Sequence, residues 1–158
     1  MERSASADPT PPDDIEWVVR AEVYRHFAST GQGPSNVELA RAVGISSRAV
    51  EEALRHLEDG HHLALFPDRH EVWMAHPFSA VPTDFPVDTA ERRYWANCAW
   101  DALGIPAILG VDGWTEARCA ATGVRIAFGV RGGQARGGPG VIHMVVPPRE
   151  AWDDIGFT

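Results

Sequence analysis

The chain has 158 residues, of which 44% are hydrophobic and six are tryptophan, which is enough apolar material for one ordinary domain or two small ones. Its 22 acidic and 14 basic residues give a formal net charge of -8, which repels phosphate backbones and argues against a nucleic-acid partner. No apolar run of roughly 18 residues could span a bilayer, and the first residues lack the apolar region of a secretory signal, so we expect a cytoplasmic protein without a membrane partner.

The first part of the chain predicts a leader followed by three helices. Residues 1–13 are rich in Ser, Pro and Asp without apolar periodicity, and we expect them to be a disordered leader. Apolar residues recur at helical spacing from Ile15 to Ala28. A capping box of Ser35 and Glu38 predicts the start of a second helix, and Ser46 is positioned to cap a third.

Two short apolar segments after the third helix, 63–66 and 71–75, predict a hairpin. Three helices and a hairpin over residues 14–80 are typical of a winged helix-turn-helix domain, which often reads DNA with its third helix. The charged residues of that helix are Arg48, Glu51, Glu52, Arg55, Glu58 and Asp59. Such a face attracts phosphates little, so we expect a structural or substrate-covering role for this domain.

The rest of the chain predicts a helix packed on a small, mostly antiparallel sheet, and the expected fold class is α+β. Residues 81–87 are expected to be an ordered linker, since the stretch around them is proline-rich and aperiodic. Residues 88–91 can cap a helix that runs to about Leu103, where Gly104 and Pro106 stop it. The expected strands lie at 114–119, 124–130 and 141–146, with a flexible glycine-rich turn over 131–140.

A thiol and a carboxyl, those of Cys98 and Asp101, stand three residues apart in the apolar run 94–103. On a helix they lie on one face, one turn apart, so that a soft nucleophile stands beside a proton donor. By itself, a cysteine on an apolar helix is more often a small buried hydrophobe, and pairing with Arg92 or Arg93 would make the aspartate an ordinary surface charge. The residues alone leave these alternatives open.

The sequence predicts neither a metal cofactor nor a disulfide framework. Four histidines gather around the predicted hairpin: His61, His62, His70 and His76. Their spacing matches no zinc pattern and no cysteine lies among them, so we expect solvated histidines. The only two cysteines, Cys98 and Cys119, are expected to stay reduced.

Several motifs near the thiol and the carboxyl make the chain resemble the organomercurial (alkylmercury) lyases. They are Cys-x-x-Asp at 98–101, Ile-Pro-Ala-Ile-Leu-Gly at 105–110, Arg-Cys-Ala-Ala-Thr-Gly at 118–123, Gly-Pro-Gly-Val at 138–141 and Val-Val-Pro-Pro-Arg-Glu at 145–150. The resemblance covers roughly residues 15–158 and includes the three-helix domain. It implies a catalytic domain over residues 88–158.

The resemblance also implies a role for each site residue. In that family the cysteine at the position of Cys98 takes up mercury as a thiolate, and the aspartate at the position of Asp101 handles the proton that ends on carbon. Mercury is soft and prefers thiolate ligands, and thiolate donation makes the carbon basic enough to be protonated. The implied products are a hydrocarbon and Hg(II), with mercury as substrate and product and no cofactor. Cys119 matches a cysteine that is generally regarded as structural in this family, so the resemblance implies no catalytic role for it.

One part of the family pattern is missing from these residues. The family's second catalytic cysteine would fall at or immediately after Thr158, so we expect either a truncated lyase with an incomplete sheet or a natural relative with impaired turnover. Exogenous small thiols would then supply the missing sulfur donor to mercury. We expect a monomer that acts on a small-molecule organomercurial. One alternative is a non-catalytic thiol protein that binds or responds to soft metals. Another is a winged-helix transcription regulator, against which the acidic charge argues.

Overall fold

The computed structural model describes residues 14–144 and 146–156, so the predicted leader lies outside the described residues. The helices are α1 (Asp14–Thr30), α2 (Asn36–Val43), α3 (Ser47–Asp59), α4 (Ala99–Leu109) and a 3-10 helix at Pro148–Asp154. The strands are β1 (Ala64–Leu65), β2 (Val72–Ala75), β3 (Phe78–Ser79), β4 (Pro86–Thr89), β5 (Arg93–Trp95), β6 (Gly113–Arg118), β7 (Arg125–Arg131) and β8 (Gln134–Gly137). Helices and antiparallel sheets together confirm the predicted α+β class.

The three predicted N-terminal helices are confirmed, and their starts are set by local capping. Ser35 Oγ accepts from the backbone N–H of Glu38 at 3.3 Å, while the Glu38 carboxylate accepts from the Ser35 N–H at 2.8 Å. Ser46 caps α3 by accepting from the Ala49 N–H. Each cap satisfies a backbone donor that the helix itself leaves free. None of the helices in the described part of the chain is long and apolar enough to cross a bilayer.

The predicted hairpin is also confirmed, as β1 and β2, and a third strand extends it. The first sheet has the order β1-β2-β3, with all pairs antiparallel. A bridge between Phe78 and Ala96 links its last strand to the second half of the chain. Buried apolar side chains of both halves form one cluster that includes Phe27, Leu54, Phe78, Tyr94 and Ile105. The division into domains at 81–87 stays a prediction, and the packing there is continuous.

The prediction of a helix from residue 88 is wrong, because the chain forms an antiparallel hairpin of β4 and β5 there. The residues that suggested a helix cap close a turn instead: Thr89 Oγ1 accepts from the Arg92 N–H at 3.2 Å. Arg93 then reaches across the hairpin and donates twice to Asp88, at 2.7 and 2.9 Å. Short polar side chains can accept hydrogen bonds from free backbone N–H groups in a turn as well as at a helix start. The pattern at 88–91 is therefore compatible with either structure.

The helix that follows starts later and ends later than predicted. It begins after Cys98, passes through Gly104 and Pro106, and ends at Leu109, where Gly110 caps it with a φ of 66°. Packing explains the glycine at position 104, because a Cβ there would lie 3.2 Å from the ring of Pro77. This close approach holds the segment of His76 against α4. Ala102 and Ile105 are fully buried on the side that faces the sheet.

The last part of the second sheet also differs from the prediction. The sheet has the order β5-β4-β6-β7-β8, and β8 lies inside the segment predicted as a flexible turn. Gly132 and Gly133 both have positive φ, and they join β7 to β8 as a two-residue hairpin loop. The strand predicted at 141–146 is wrong: residues 141–144 have no regular structure and Val141 is 92% exposed. Val145 lies outside the described residues.

Candidate active site

Cys98 and Asp101 meet at the start of α4. Cys98 is the N-cap residue, with an extended backbone (φ -148°), and its carbonyl accepts the first helical hydrogen bond, from the Ala102 N–H. Asp101 lies three residues later, in the first turn. The N-cap and this position are the two that face each other in a capping box. The pair therefore forms as the sequence predicts, but through the helix start rather than through one face of a continuous helix.

The Cys98 thiol is half-buried and is held in its neutral form. Burial raises the pKa of the thiol, and the negative charge of Asp101 raises it further. The backbone N–H groups of Trp100 and Asp101 oppose this effect, although the sulfur makes no regular capping hydrogen bond. At neutral pH the sulfur therefore carries its proton and needs a nearby base before it can bind a soft metal ion.

Asp101 is a buried carboxyl, only 8% exposed. Burial raises its pKa, while the positive field of His76 and hydrogen bonding from the Asn97 and Cys98 side chains act in the opposite direction. The alternative of an ordinary surface ion pair does not occur, because Arg92 pairs with Glu91 and Arg93 with Asp88. A buried carboxyl of this kind is costly to keep charged, which suits a group that takes up and releases a proton.

Three side chains around Asp101 were not predicted from the sequence: Tyr24, His76 and Asn97. The Tyr24 hydroxyl donates to the backbone carbonyl of His76 at 2.9 Å, and burial raises the pKa of Tyr24, with a further contribution from Asp101. Asn97 donates to the Phe78 carbonyl at 3.2 Å. Tyr24 and His76 are far from Asp101 along the chain, so no local pattern could have indicated them.

Helix α1 is held in place beside the site by contacts at its C-terminal end. The Tyr94 hydroxyl donates to the Ala28 carbonyl at 2.9 Å. Gly31 has a φ of 76°, and a Cβ there would lie 2.5 Å from the Arg93 carbonyl oxygen. Only glycine adopts this backbone conformation and this close approach without strain. These contacts join α1 to β5, three residues before Cys98, and so bring Tyr24 to the carboxyl.

A cavity of about 370 Å³ opens beside these residues. We call it the Arg20 pocket; its polar and aromatic lining is Arg20, Tyr24, His61, His62, His76 and Trp152. Three of the four histidines predicted to be solvated thus line a cavity, and His61 stacks on Trp152 at 4.7 Å between ring centres. Among the residues that the structure describes, no group of three or more His, Cys, Asp or Glu could hold a metal ion.

Cys119 lies outside this arrangement, in the turn between β6 and β7. Its N–H donates to the Val124 carbonyl at 2.9 Å, and its carbonyl accepts from Gly123 at 2.8 Å. Hydrogen bonding from Thr122 lowers the pKa of its thiol. The pKa of the Cys98 thiol is therefore raised and that of the Cys119 thiol is lowered, and neither cysteine forms a disulfide.

The fold and this site define an α+β protein with a thiol and a buried carboxyl at one helix start. The sequence profile of the family described as MerB, alkylmercury lyase, matches residues 78–158, just over half of the chain. The chain belongs to the alkylmercury lyase family, as its motifs predict.

A solved structure described as "Crystal structure of the mercury-bound form of MerB2" has the same fold. It matches with a TM-score of 0.62 and 24% sequence identity, over 79% of this chain and 59% of that one. The chain thus spans about three fifths of the length of that structure. No curated protein matches the sequence. The cytoplasmic location and the monomeric state stay predictions.

Proposed function

We propose that this protein cleaves the carbon-mercury bond of organomercurials by protonolysis, with Cys98 as the mercury ligand and Asp101 as the proton carrier. The observation that carries the proposal is the half-buried thiol facing a buried carboxyl, in a chain of the alkylmercury lyase family. Each of the two groups has its pKa raised by burial, so a proton shared between them is held in the site rather than lost to solvent.

The proposed reaction begins with proton transfer from the Cys98 thiol to the Asp101 carboxylate. The resulting thiolate forms a sulfur-mercury bond with R-Hg-X and displaces X⁻. Asp101, now a neutral acid, gives the same proton to the carbon as the carbon-mercury bond breaks. The electron pair of that bond stays on carbon, so R-H leaves, the carboxylate returns and mercury remains Hg(II) on sulfur. Nothing is oxidised or reduced, and the proton never needs to come from bulk water.

A second sulfur donor assists the cleavage step. Additional thiolate donation to mercury places more negative charge on carbon and makes it easier to protonate. Within residues 1–158 the second cysteine is Cys119, in the turn between β6 and β7, so we propose that a small exogenous thiol supplies this donor. The same thiol would remove Hg(II) from Cys98 and free the site.

The second candidate function is a soft-metal binder without turnover, and the single thiol at the described site favours it. The buried Asp101 favours the enzyme, because a binder has no use for a costly carboxyl. Phenylmercury with excess 2-mercaptoethanol distinguishes the two, with benzene measured in the headspace. Catalytic benzene release supports the lyase. One mercury bound per chain with no benzene supports the binder. Equal turnover in a Cys98→Ser variant rules out the assigned nucleophile.

A further inference from the structure

We propose that the Arg20 pocket binds the carboxylate of a small anionic thiol, a mercaptocarboxylate, and directs its sulfur to mercury on Cys98. This inference rests on the proposed function and identifies the class of thiol that completes it. Three observations support it: Arg20 has no carboxylate partner within the residues that the structure describes, the cavity has the volume and lining of a small-molecule site, and two of its lining residues also act on Asp101.

Arg20 is a cation without an acidic partner among the described residues. The nearest acidic residue along α1 at helical spacing, Glu16, bonds to His56 instead. The Arg20 Nε is buried and has no hydrogen-bond partner there, and one Nη lies 3.4 Å from the Tyr24 hydroxyl. The charge of Arg20 is therefore not neutralised by a carboxylate in the described part of the chain, and Arg20 lines the cavity, so the site favours an incoming anion.

The guanidinium of Arg20 lies over two aromatic rings. Its central carbon lies 5.3 Å from the centre of the Trp17 ring and 4.8 Å from that of Tyr24. Such contacts hold the group in place without neutralising its charge. A carboxylate suits a guanidinium, since it can accept two parallel hydrogen bonds from one such group.

The cavity has the right size and place for a small thiol acid. A volume of about 370 Å³ is at the lower end for small-molecule sites. Two of its lining residues, Tyr24 and His76, also interact electrostatically with Asp101. The Tyr24 hydroxyl accepts from Arg20 and donates to the His76 carbonyl, so a ligand anchored at Arg20 shares its neighbours with the proposed acid. In a chain of net charge -8, an uncompensated cation in a cleft is a specific attraction for anions.

The thiol takes part without redox chemistry. It loses its proton to solvent, and its sulfur lone pair forms a second bond to mercury while the carboxylate stays at Arg20. The other candidate occupant is an aromatic group of the substrate, stacked on the Trp152 and His61 rings. The charge of Arg20 favours the anion, and the aromatic substituent is an outcome that the test can reveal.

The test compares 3-mercaptopropionate with its neutral methyl ester as the added thiol in the benzene-release assay. The proteins carry Cys119→Ser, with or without Arg20→Gln, and Arg25→Gln serves as the matched control because Arg25 lies on the same helix and pairs with Glu22 at the surface. Losing a charge-assisted pair costs about tenfold or more in the preference for the acid over its ester. We expect that loss for Arg20→Gln, a partial loss for Arg20→Lys and none for Arg25→Gln. Equal effects of Arg20→Gln on both thiols overturn the proposal and indicate that the pocket holds the phenyl group of the substrate instead.

A binding measurement separates this inference from the lyase proposal. Propionate, which has no thiol, is titrated while the histidine ring signals are followed by NMR. We expect saturable shifts in the parent protein and in Arg25→Gln, and binding about tenfold weaker in Arg20→Gln. Propionate binding without benzene release from any thiol would sink the lyase proposal and keep the anion site. Absence of saturable binding would overturn the anion site whatever the activity.

Discussion

The Cys98 thiol and the Asp101 carboxyl face each other across the first turn of α4, and each changes the proton affinity of the other. After burial, the charge of Asp101 is the largest influence that raises the pKa of the thiol, while hydrogen bonding from Cys98 lowers the pKa of the carboxyl. The protonation of each group therefore depends on that of the other. This coupling leads to measurable consequences for reactivity, for stability and for the residues around the pair.

The first prediction concerns thiol reactivity as a function of pH. Iodoacetamide labels thiolates, so the pH at which each cysteine becomes labelled follows its pKa. We expect Cys119 to be labelled at lower pH than Cys98, because Thr122 lowers the pKa of Cys119 and burial raises that of Cys98. Peptide mass spectrometry after timed labelling resolves the two sites. In Asp101→Asn the midpoint for Cys98 should fall, while that for Cys119 stays in place. The reverse order in the parent protein would contradict the proposed electrostatics.

The second prediction concerns stability. The pKa of Asp101 is raised in the folded state, so this carboxyl loses folded-state stability as pH rises from its ordinary pKa through the raised one. Asparagine does not titrate. We expect Asp101→Asn to match the parent protein in acid and to become the more stable of the two as pH rises, with about 2–4 °C in Tm for each kcal/mol of difference. Thermal melts over a pH series measure this. A parent protein that gains on the variant with rising pH would contradict the raised pKa.

The third prediction assigns Asn97 as a positioning residue for the acid. Its side chain helps to lower the pKa of Asp101, so Asn97→Ala should raise that pKa further and slow cleavage by about tenfold. Asn36→Ala is the matched control: both amides donate to a backbone carbonyl, at 3.2 Å for Asn97 and 2.7 Å for Asn36, and both leave a buried oxygen without a partner. The pH profile of Cys98 labelling should move in Asn97→Ala alone. If both variants lose stability and the pH profile of Cys98 labelling is unchanged in Asn97→Ala, the role of Asn97 is structural only.

The fourth prediction tests how α1 is held beside the site. Gly31→Ala adds a methyl group at a φ of 76°, 2.5 Å from the Arg93 carbonyl oxygen. Gly44→Ala is the control, with a φ of 79° and no atom within 4 Å. Backbone strain costs about 1 kcal/mol or more at either position, and the clash adds to it only at Gly31. Urea unfolding should therefore show a clearly larger loss for Gly31→Ala. Equal losses would mean that the contact between α1 and β5 is loose.

Local signals in the sequence predicted the parts of the fold that depend on local chemistry. The caps at Ser35 and Ser46 mark helix starts because their hydroxyls satisfy backbone donors within three residues. The glycine pair at 132 and 133 is an equally local signal, but glycine permits both a flexible segment and a tight hairpin loop, and the structure has the hairpin loop. The hairpin at 86–95 pairs Arg93 with Asp88 across its two strands, and the sequence pattern at these residues also fits a helix cap.

The candidate site was predictable only in part, for a physical reason. Cys98 and Asp101 are close in sequence, so a helix start alone brings them together. Tyr24 and His76, which line the Arg20 pocket, come near the carboxyl through tertiary packing: α1 packs against β5 at Gly31, and Pro77 packs against Gly104. Such contacts leave no periodic pattern in a single sequence.

The most direct test of the account is a single-turnover experiment on phenylmercury, with the Cys119→Ser protein compared with Cys119→Ser/Asp101→Asn in excess 2-mercaptoethanol. Bound mercury and released benzene are measured together. We predict that both proteins bind one mercury per chain through Cys98, and that only the protein with Asp101 releases benzene at a measurable rate. Benzene release at equal rates from both proteins would contradict the claim that Asp101 carries the proton to carbon.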